Sequence, residues 1–242
     1  MENNIIYGRN AVMEAIKSDV QIDVVYLQSG IKSCGDIIES AKEKGFVIKN
    51  ANAKKLDALT NGGRHGGIAA LISEILYADL DDLLKVSSLK GKLPFLIMAD
   101  EIEDPHNLGA VIRTAEAVGA DGLIVPKRRS AAISGIVQNT SAGAASWLKI
   151  CRVANLSDTI KTIKKSNIWV YGAEADGEPY HKTDFSGGVC LVIGSEGKGL
   201  GRLVRESCDK IVSIDMHGQI NSLNVSVSAG ILMYHILRSR DI

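Results

Sequence analysis

The sequence predicts an α/β protein in two parts. A small α/β domain spans residues 1–74, a linker spans 75–92, and a larger domain built on a parallel sheet spans 93–242. Three observations predict this. From Pro94 onward, short and strongly apolar segments alternate with helical patterns, as strands do when helices cover both faces of a parallel sheet. The first 74 residues carry their own, shorter alternation of helical and extended patterns. Between the two lies a polar stretch that ends in Lys90-Gly-Lys.

In the first part, Val12, Ala15 and Ile16 have helical spacing within Gly8–Ser18. Val24–Leu27 reads as a strand. Ser33 with Asp36 three residues later resembles a capping box, and Gly45 stands where that helix should stop. Phe46–Lys49 and Gly67–Ile72 read as strands around a flexible glycine loop, Thr60–Gly67. The linker has a short helical pattern over Asp79–Val86.

In the second part, strand Phe95–Ala99 leads to an acidic loop, Asp100–His106, and then to a helix, Leu108–Val118, stopped by Gly119. Strands are expected at Gly122–Val125, Ile168–Ala173, Val189–Ile193 and Ile211–Asp215. Helical segments lie near Ile133–Thr140 and Leu156–Lys165, and an amphipathic segment closes the chain. The length of 242 residues suits one large or two modest domains, and 45% hydrophobic residues supply a core. The start lacks the regions of a signal peptide, and the apolar runs are strand-sized, so a cytoplasmic protein without a membrane span is expected. Cys34, Cys151, Cys190 and Cys208 form no metal or redox spacing and read as reduced packing residues. The formal net charge is zero, so composition offers no support for a nucleic-acid partner. Only Lys127-Arg128-Arg129 and Arg64-His65 hint at local positive charge.

Three clusters carry chemistry. The loop Gly194–Gly201 follows an apolar strand, the position of a nucleotide-binding turn. It lacks P-loop spacing, and the last interval of Gly197-x-Gly199-x-Gly201 is wrong for a dinucleotide fingerprint. Asp215 would serve as the ribose acid of such a site. However, only about 40 residues follow Gly201, too few to complete a doubly wound domain. Glu196 in the loop would also repel a pyrophosphate. The second cluster is the helix Asn107–Arg113. Asn107 either caps the helix or acts in a site. Arg113, among Val111, Ile112, Ala115 and Val118, either snorkels to water or holds an anion. The third cluster is the loop with Asn221, Ser222, Leu223 and Asn224. The acidic run Asp100–Asp104 reads as a solvated loop before a helix N-terminus, and no metal is expected.

Together these clusters resemble the motifs of the SpoU (TrmH-type) RNA ribose methyltransferases of the SPOUT superfamily. The matching motifs are Asn107–Arg113, Leu191–Gly201 with Glu196, and Ile220–Ser226 (INSLNVS), in the family's order and spacing. The first part is similar to the family's substrate-binding domain at Tyr7–Ala15, which includes Arg9, and at His65-Gly-Gly-Ile. Gly66 departs from the family pattern, which has glutamine after the histidine. The nearest resemblance is to bacterial enzymes that methylate a guanosine ribose of large-subunit ribosomal RNA.

The resemblance implies a C-terminal SPOUT domain with a parallel sheet and a deep trefoil knot, a rare exception to unthreaded chains. It implies a homodimer in which the partner completes each site, and S-adenosylmethionine held by Gly194, Ile214 and Leu223, with Met216 and Ser222 secondary. It implies catalysis by Arg113 with Asn107, Glu196 and Asn224. RNA contacts would fall at Arg9, Arg64, His65, Lys127, Arg128 and Arg129. A transfer-RNA methyltransferase of the same fold, a non-catalytic assembly protein and a dinucleotide enzyme are the competing readings.

Overall fold

The structure, a computed structural model, describes residues 5–18, 20, 22–31, 34–72, 77–89 and 91–240. Ser33 of the expected capping box and the boundary at residues 74–75 lie outside the described residues. The chain forms two compact units. One joins the N-terminal part to Ala132–Trp147, and the other holds Tyr77–Ala131 and Leu148–Ile242.

The first unit has a four-stranded sheet of β1 (Ile5–Tyr7), β2 (Ile22–Gln28), β3 (Val47–Ala51) and β4 (Ile68–Ile72) in the order β1-β4-β2-β3. β4 runs antiparallel to both neighbours, and β2 and β3 are parallel. Helices α1 (Arg9–Lys17), α2 (Gly35–Glu43) and α3 (Ala53–Leu59) accompany it. Val12, Ala15 and Ile16 of α1 are buried with Ile37 of α2 and Val25 and Ile68 of the sheet, as their helical spacing requires. α3 was not expected. Its cue is Asn52, whose side chain accepts the Lys55 N–H as an N-cap.

The edge of β1 is covered by the later segment. The Asn139 side chain accepts the Tyr7 N–H at 2.7 Å and donates to the Ile5 carbonyl at 3.3 Å, supplying bonds that an edge strand otherwise lacks. Trp147 Nε1 donates to Glu14 at 2.9 Å.

The second unit opens with α4 (Leu80–Leu89), whose Leu83 is fully buried in that unit's core. Much of the expected linker is therefore part of a folded core. The sheet comprises β5 (Phe95–Ala99), β6 (Gly122–Pro126), β7 (Ile150–Val153), β8 (Ile168–Pro179), β9 (Gly188–Ile193) and β10 (Lys210–Ser213). Its order is β10-β8-β9-β5-β6-β7, and every pairing is parallel. Helices α5 (Pro105–Ala117), α7 (Leu156–Lys164), α8 (Arg202–Ser207) and α9 (Val225–Arg240) cover it, while α6 (Gly135–Thr140) lies in the first unit. Leu96, Met98, Val170, Cys190 and Val192 share one core with Ile160 and Ile163 of α7 and Val204 of α8. α5 packs on α9, and their apolar residues are buried too. With both faces covered, β5 and β9 are buried along their whole length.

Three expectations shift. α5 begins at Pro105, with Asp104 as its N-cap accepting the His106 N–H at 3.0 Å, so Asn107 is not the cap. β10 ends at Ser213, and Asp215 lies beyond it, 3.3 Å from His181 Nδ1. The strand expected at Ile168–Ala173 runs on to Pro179. It is interrupted opposite β10, where Ile211 pairs with Gly172 but Val212 pairs with Glu178.

Candidate active site

The C-terminal ends of β8, β9 and β10 open on one edge, where small-molecule sites form in parallel sheets. The loop after β9 folds back as a tight hairpin. Ser195 and Gly199 exchange both backbone hydrogen bonds, at 3.1 and 3.0 Å. Gly197 and Gly199 take positive φ, which side chains resist. A Cβ on Gly194 would collide with the Gly199 backbone, so this approach needs glycine there.

Carboxylates fix the far side of the loop. Glu174 Oε1 accepts the Leu200 N–H at 2.5 Å, and Asp100 Oδ2 accepts the Gly201 N–H at 2.7 Å. Burial holds the Asp100 carboxyl above its ordinary pKa, opposed by that hydrogen bond. These N–H groups are already taken by anions and are not available to a phosphate, which removes the physical basis for a phosphate-binding turn.

A cavity of about 370 Å³ lies against this loop, within the size range of small-molecule sites. Gly194, Ile214, Met216, Ser222 and Leu223 all line it. So do Ala173, Glu174 and Ala175 from the interrupted part of β8, together with Leu232 of α9. Glu174 was missed by the sequence reading. A lone glutamate at a strand end has no spacing signature, and the register break that brings it there is a property of pairing.

A second hollow of about 280 Å³ is lined in part by the same residues, sharing Ser195, Lys198 and Val225 with the first. Glu101, Glu103, Asp104 and Glu196 give it an acidic wall. Asn107, Glu196 and Asn224 meet at its edge. Asn224 Nδ2 donates to Asn107 Oδ1 at 3.0 Å, and both amides approach Glu196 Oε2 at 3.4 Å. Asn224 Oδ1 accepts the Ser226 N–H at 2.9 Å, which caps α9 and holds the amide in place. Glu196 sits at the hairpin tip and is exposed.

Arg113 does not join this group. Six residues along a helix turn a side chain by roughly 120° from Asn107 and carry it ~9 Å along the axis. Arg113 is exposed and makes no hydrogen bond or ion pair to the described residues.

The basic residues also separate. Arg129 is paired with Glu101 at 2.8 Å, whereas Lys127 and Arg128 are exposed. In the first unit Arg9 is paired with Asp36 at 2.6 Å, and Arg64 is exposed. His65 Nδ1 accepts the Gly67 N–H at 2.9 Å, so its proton sits on Nε2, 3.1 Å from Asp57. Gly66 has positive φ and open space where a side chain would project. Cys34, Cys151 and Cys190 are buried, Cys208 is half-buried, and burial raises the Cys208 thiol to about 12. Among the described residues no group of three or more His, Cys, Asp or Glu is placed to hold a metal, and no helix is long and apolar enough to cross a membrane.

A parallel sheet with a loop-built cavity at its C-terminal edge and a separate small α/β unit is the architecture of the SpoU methyltransferases. The solved structure of AviRb from Streptomyces viridochromogenes, with bound AdoMet, superposes with a TM-score of 0.80 at 22% identity over 97% of this chain and 89% of that one. An AdoMet-bound rRNA methyltransferase from Sinorhizobium meliloti gives 0.81 at 22% identity, over 97% and 86%. The sequence matches the SpoU rRNA Methylase family over residues 94–234, and the RNA 2'-O ribose methyltransferase substrate-binding family over residues 5–78. A Bacillus subtilis (strain 168) relative, the putative TrmH family tRNA/rRNA methyltransferase YacO, is 42% identical across 99% of this chain and 97% of its own. A Staphylococcus haemolyticus relative of the same description is 43% identical over the same shares. The chain belongs to the SpoU methylase family of S-adenosylmethionine-dependent RNA methyltransferases.

Proposed function

We propose that this chain methylates a ribose 2′-hydroxyl of RNA, at a guanosine of large-subunit ribosomal RNA, and that it works as a homodimer with a deep trefoil knot under each site. One observation carries the reading: the cavity against the glycine hairpin adjoins the Asn107–Glu196–Asn224 group through shared lining residues. A donor site and an acceptor site side by side are what group transfer needs.

The cavity's lining fits S-adenosylmethionine. Gly194 and the hairpin backbone offer a close, apolar wall for an adenine, and Leu223, Ile214 and Met216 complete it. Ser222 and Glu174 offer polar partners. Bound there, the cofactor would supply an activated methyl group on a sulfonium that departs as a neutral thioether.

The chain's own residues then have to position a weak nucleophile. Glu196 accepts a hydrogen bond from the 2′-hydroxyl and takes its proton, passing it to water, as the oxygen–methyl bond forms and the methyl–sulfur bond breaks. The interlocked amides of Asn107 and Asn224 hold Glu196 in place. The acidic wall of the second hollow suits hydroxyl and N–H donors of a nucleoside and repels phosphate. Arg113 does not act as a base, because guanidinium keeps its proton. It grips the RNA phosphate and stabilises negative charge developing on the oxygen. Facing away from its own chain's Asn107, it performs this in the partner's site.

Lys127 and Arg128 add phosphate contacts, while Arg129 reaches RNA only by leaving Glu101. Arg9, Arg64 and His65 on the first unit select the RNA, and much of the 75–92 segment belongs to the second unit. The setting is cytoplasmic.

Arg113→Ala should lower methyl transfer at least about 100-fold, in line with loss of a charge-stabilising donor, while calorimetry shows near-normal cofactor binding. Equal loss of both would move Arg113 into the cofactor cavity. Mass spectrometry of ribosomal and transfer RNA nucleosides from a deletion strain identifies the substrate. Loss of a ribose methylation confined to transfer RNA would replace the ribosomal reading.

A further inference from the structure

Two adjacent N–H groups of the glycine loop are each held by a carboxylate, but the carboxylates differ. Asp100 is buried and does not line the cavity. Glu174 is half-buried, lines the cavity, and uses only Oε1 for the Leu200 N–H. Its Oε2 accepts no hydrogen bond from the described residues. The backbone goes to some length to place it. β8 leaves the ladder after Gly172 and rejoins at Glu178, while its partner strand advances only from Ile211 to Val212. The rejoining point is tight: a Cβ on Gly177 would lie 2.6 Å from the Val212 backbone. Anchoring a single N–H needs no charge and no excursion of this size, since any neutral acceptor serves.

We infer that Glu174 is the residue that binds the ribose of the cofactor, accepting hydrogen bonds from its 2′,3′-diol through the oxygen left free by Leu200. The inference rests on the reading of the cavity given above. In parallel sheets that bind nucleosides, the strand beside the glycine-loop strand ends in an acid that takes the ribose hydroxyls, because a carboxylate accepts from a vicinal diol without competing donors. β8 lies beside β9, which feeds the glycine loop, and Glu174 stands one residue past the last β8–β9 pair, Ala173 with Ile193. The same carboxylate thus couples ribose occupancy to the position of Leu200 and the hairpin. The alternative partner of like chemistry is the ammonium of the methionine moiety, and the ligand panel separates the two.

The test is calorimetry on wild type and Glu174→Gln with S-adenosylmethionine, S-adenosylhomocysteine and 5′-methylthioadenosine, which lacks the amino-acid end. Glutamine keeps an oxygen for the Leu200 N–H, so the melting temperature of the unliganded variant should stay near wild type. All three ligands should weaken by a similar factor, about tenfold or more, as for a hydrogen bond to a charged group. Unchanged affinities would overturn the inference, as would weakening of the first two with methylthioadenosine unaffected. Should the variant not fold, the wild type decides. It should prefer methylthioadenosine to its 2′,3′-dideoxy form by a like factor, and equal binding of the two would refute the assignment. Failure of the wild type to bind any of the three would remove the reading of the cavity, and the inference with it.

Discussion

The two glycine-rich loops of this chain, Thr60–Gly67 and Gly194–Gly201, have similar composition and different construction. The first is held by a neutral histidine bridging Asp57 and the Gly67 N–H, and its middle is solvent-exposed. Its glycines at 62, 66 and 67 take positive φ, while Gly63 is needed for close contact with the Tyr7 ring. The second is clamped by two carboxylates and pressed against itself, with Gly194 required by contact rather than by φ. The difference separates an exposed loop anchored by one histidine and its own turns from a clamped loop that walls a small-molecule cavity.

The strongest way to break this contrast is Gly194→Ala. The added methyl meets the Gly199 backbone, so the hairpin has to shift. Overpacking of this kind costs about 1–3 kcal/mol, and cofactor binding should fall below detection by calorimetry. Retained affinity would mean the hairpin is not a rigid wall.

Asp100 sharpens the contrast. Asp100→Ala leaves the Gly201 N–H without its acceptor and should cost about 1–3 kcal/mol in urea unfolding. Asp100→Asn keeps an acceptor and removes the titration. Burial raises the folded-state pKa of Asp100 above its ordinary 3.8. The stability it contributes is therefore full below that value and is lost as pH rises through the folded pKa. Asparagine has no such loss, so the variant should gain on wild type as the pH rises from 3.8 through the folded-state pKa. A difference independent of pH would show that Asp100 is not desolvated.

The smallest effect belongs to the first loop. His65→Ala removes a partly exposed acceptor and should cost about 0.5–1.5 kcal/mol, leave cofactor affinity unchanged, and weaken RNA binding in a filter assay. A loss of cofactor affinity would contradict the separation of roles.

How much of this was legible in the sequence follows from which signals are local. The alternation from Pro94 onward, the helix through Arg113 and both glycine loops were readable, because apolar period and glycine content are written residue by residue. Several short elements were not. β1 has three residues and β7 has four, too few for a period, and α8 (RLVRES) is mostly polar. The start of α5 was misplaced although Asp104-Pro105 is a start signal, since Asn107 lies only three residues on and can also cap. Glu174 and the grouping of Ala132–Trp147 with the first unit depend on pairings between distant segments. The amide of Asn139 on β1 shows this well: it is one asparagine among many until the strand edge it completes is known. The spacing that made Asn107 and Arg113 look like one motif also sets them on different sides of α5.

Subunit mixing tests most directly whether Arg113 serves the site of a second copy. Arg113→Ala and Glu196→Ala homodimers should each be inactive. A tagged heterodimer of the two has one site with both residues intact, and by two-fold symmetry should recover about half of the wild-type rate of methyl transfer. A heterodimer as inactive as its parents would place Arg113 and Glu196 in the same chain's site and contradict the account.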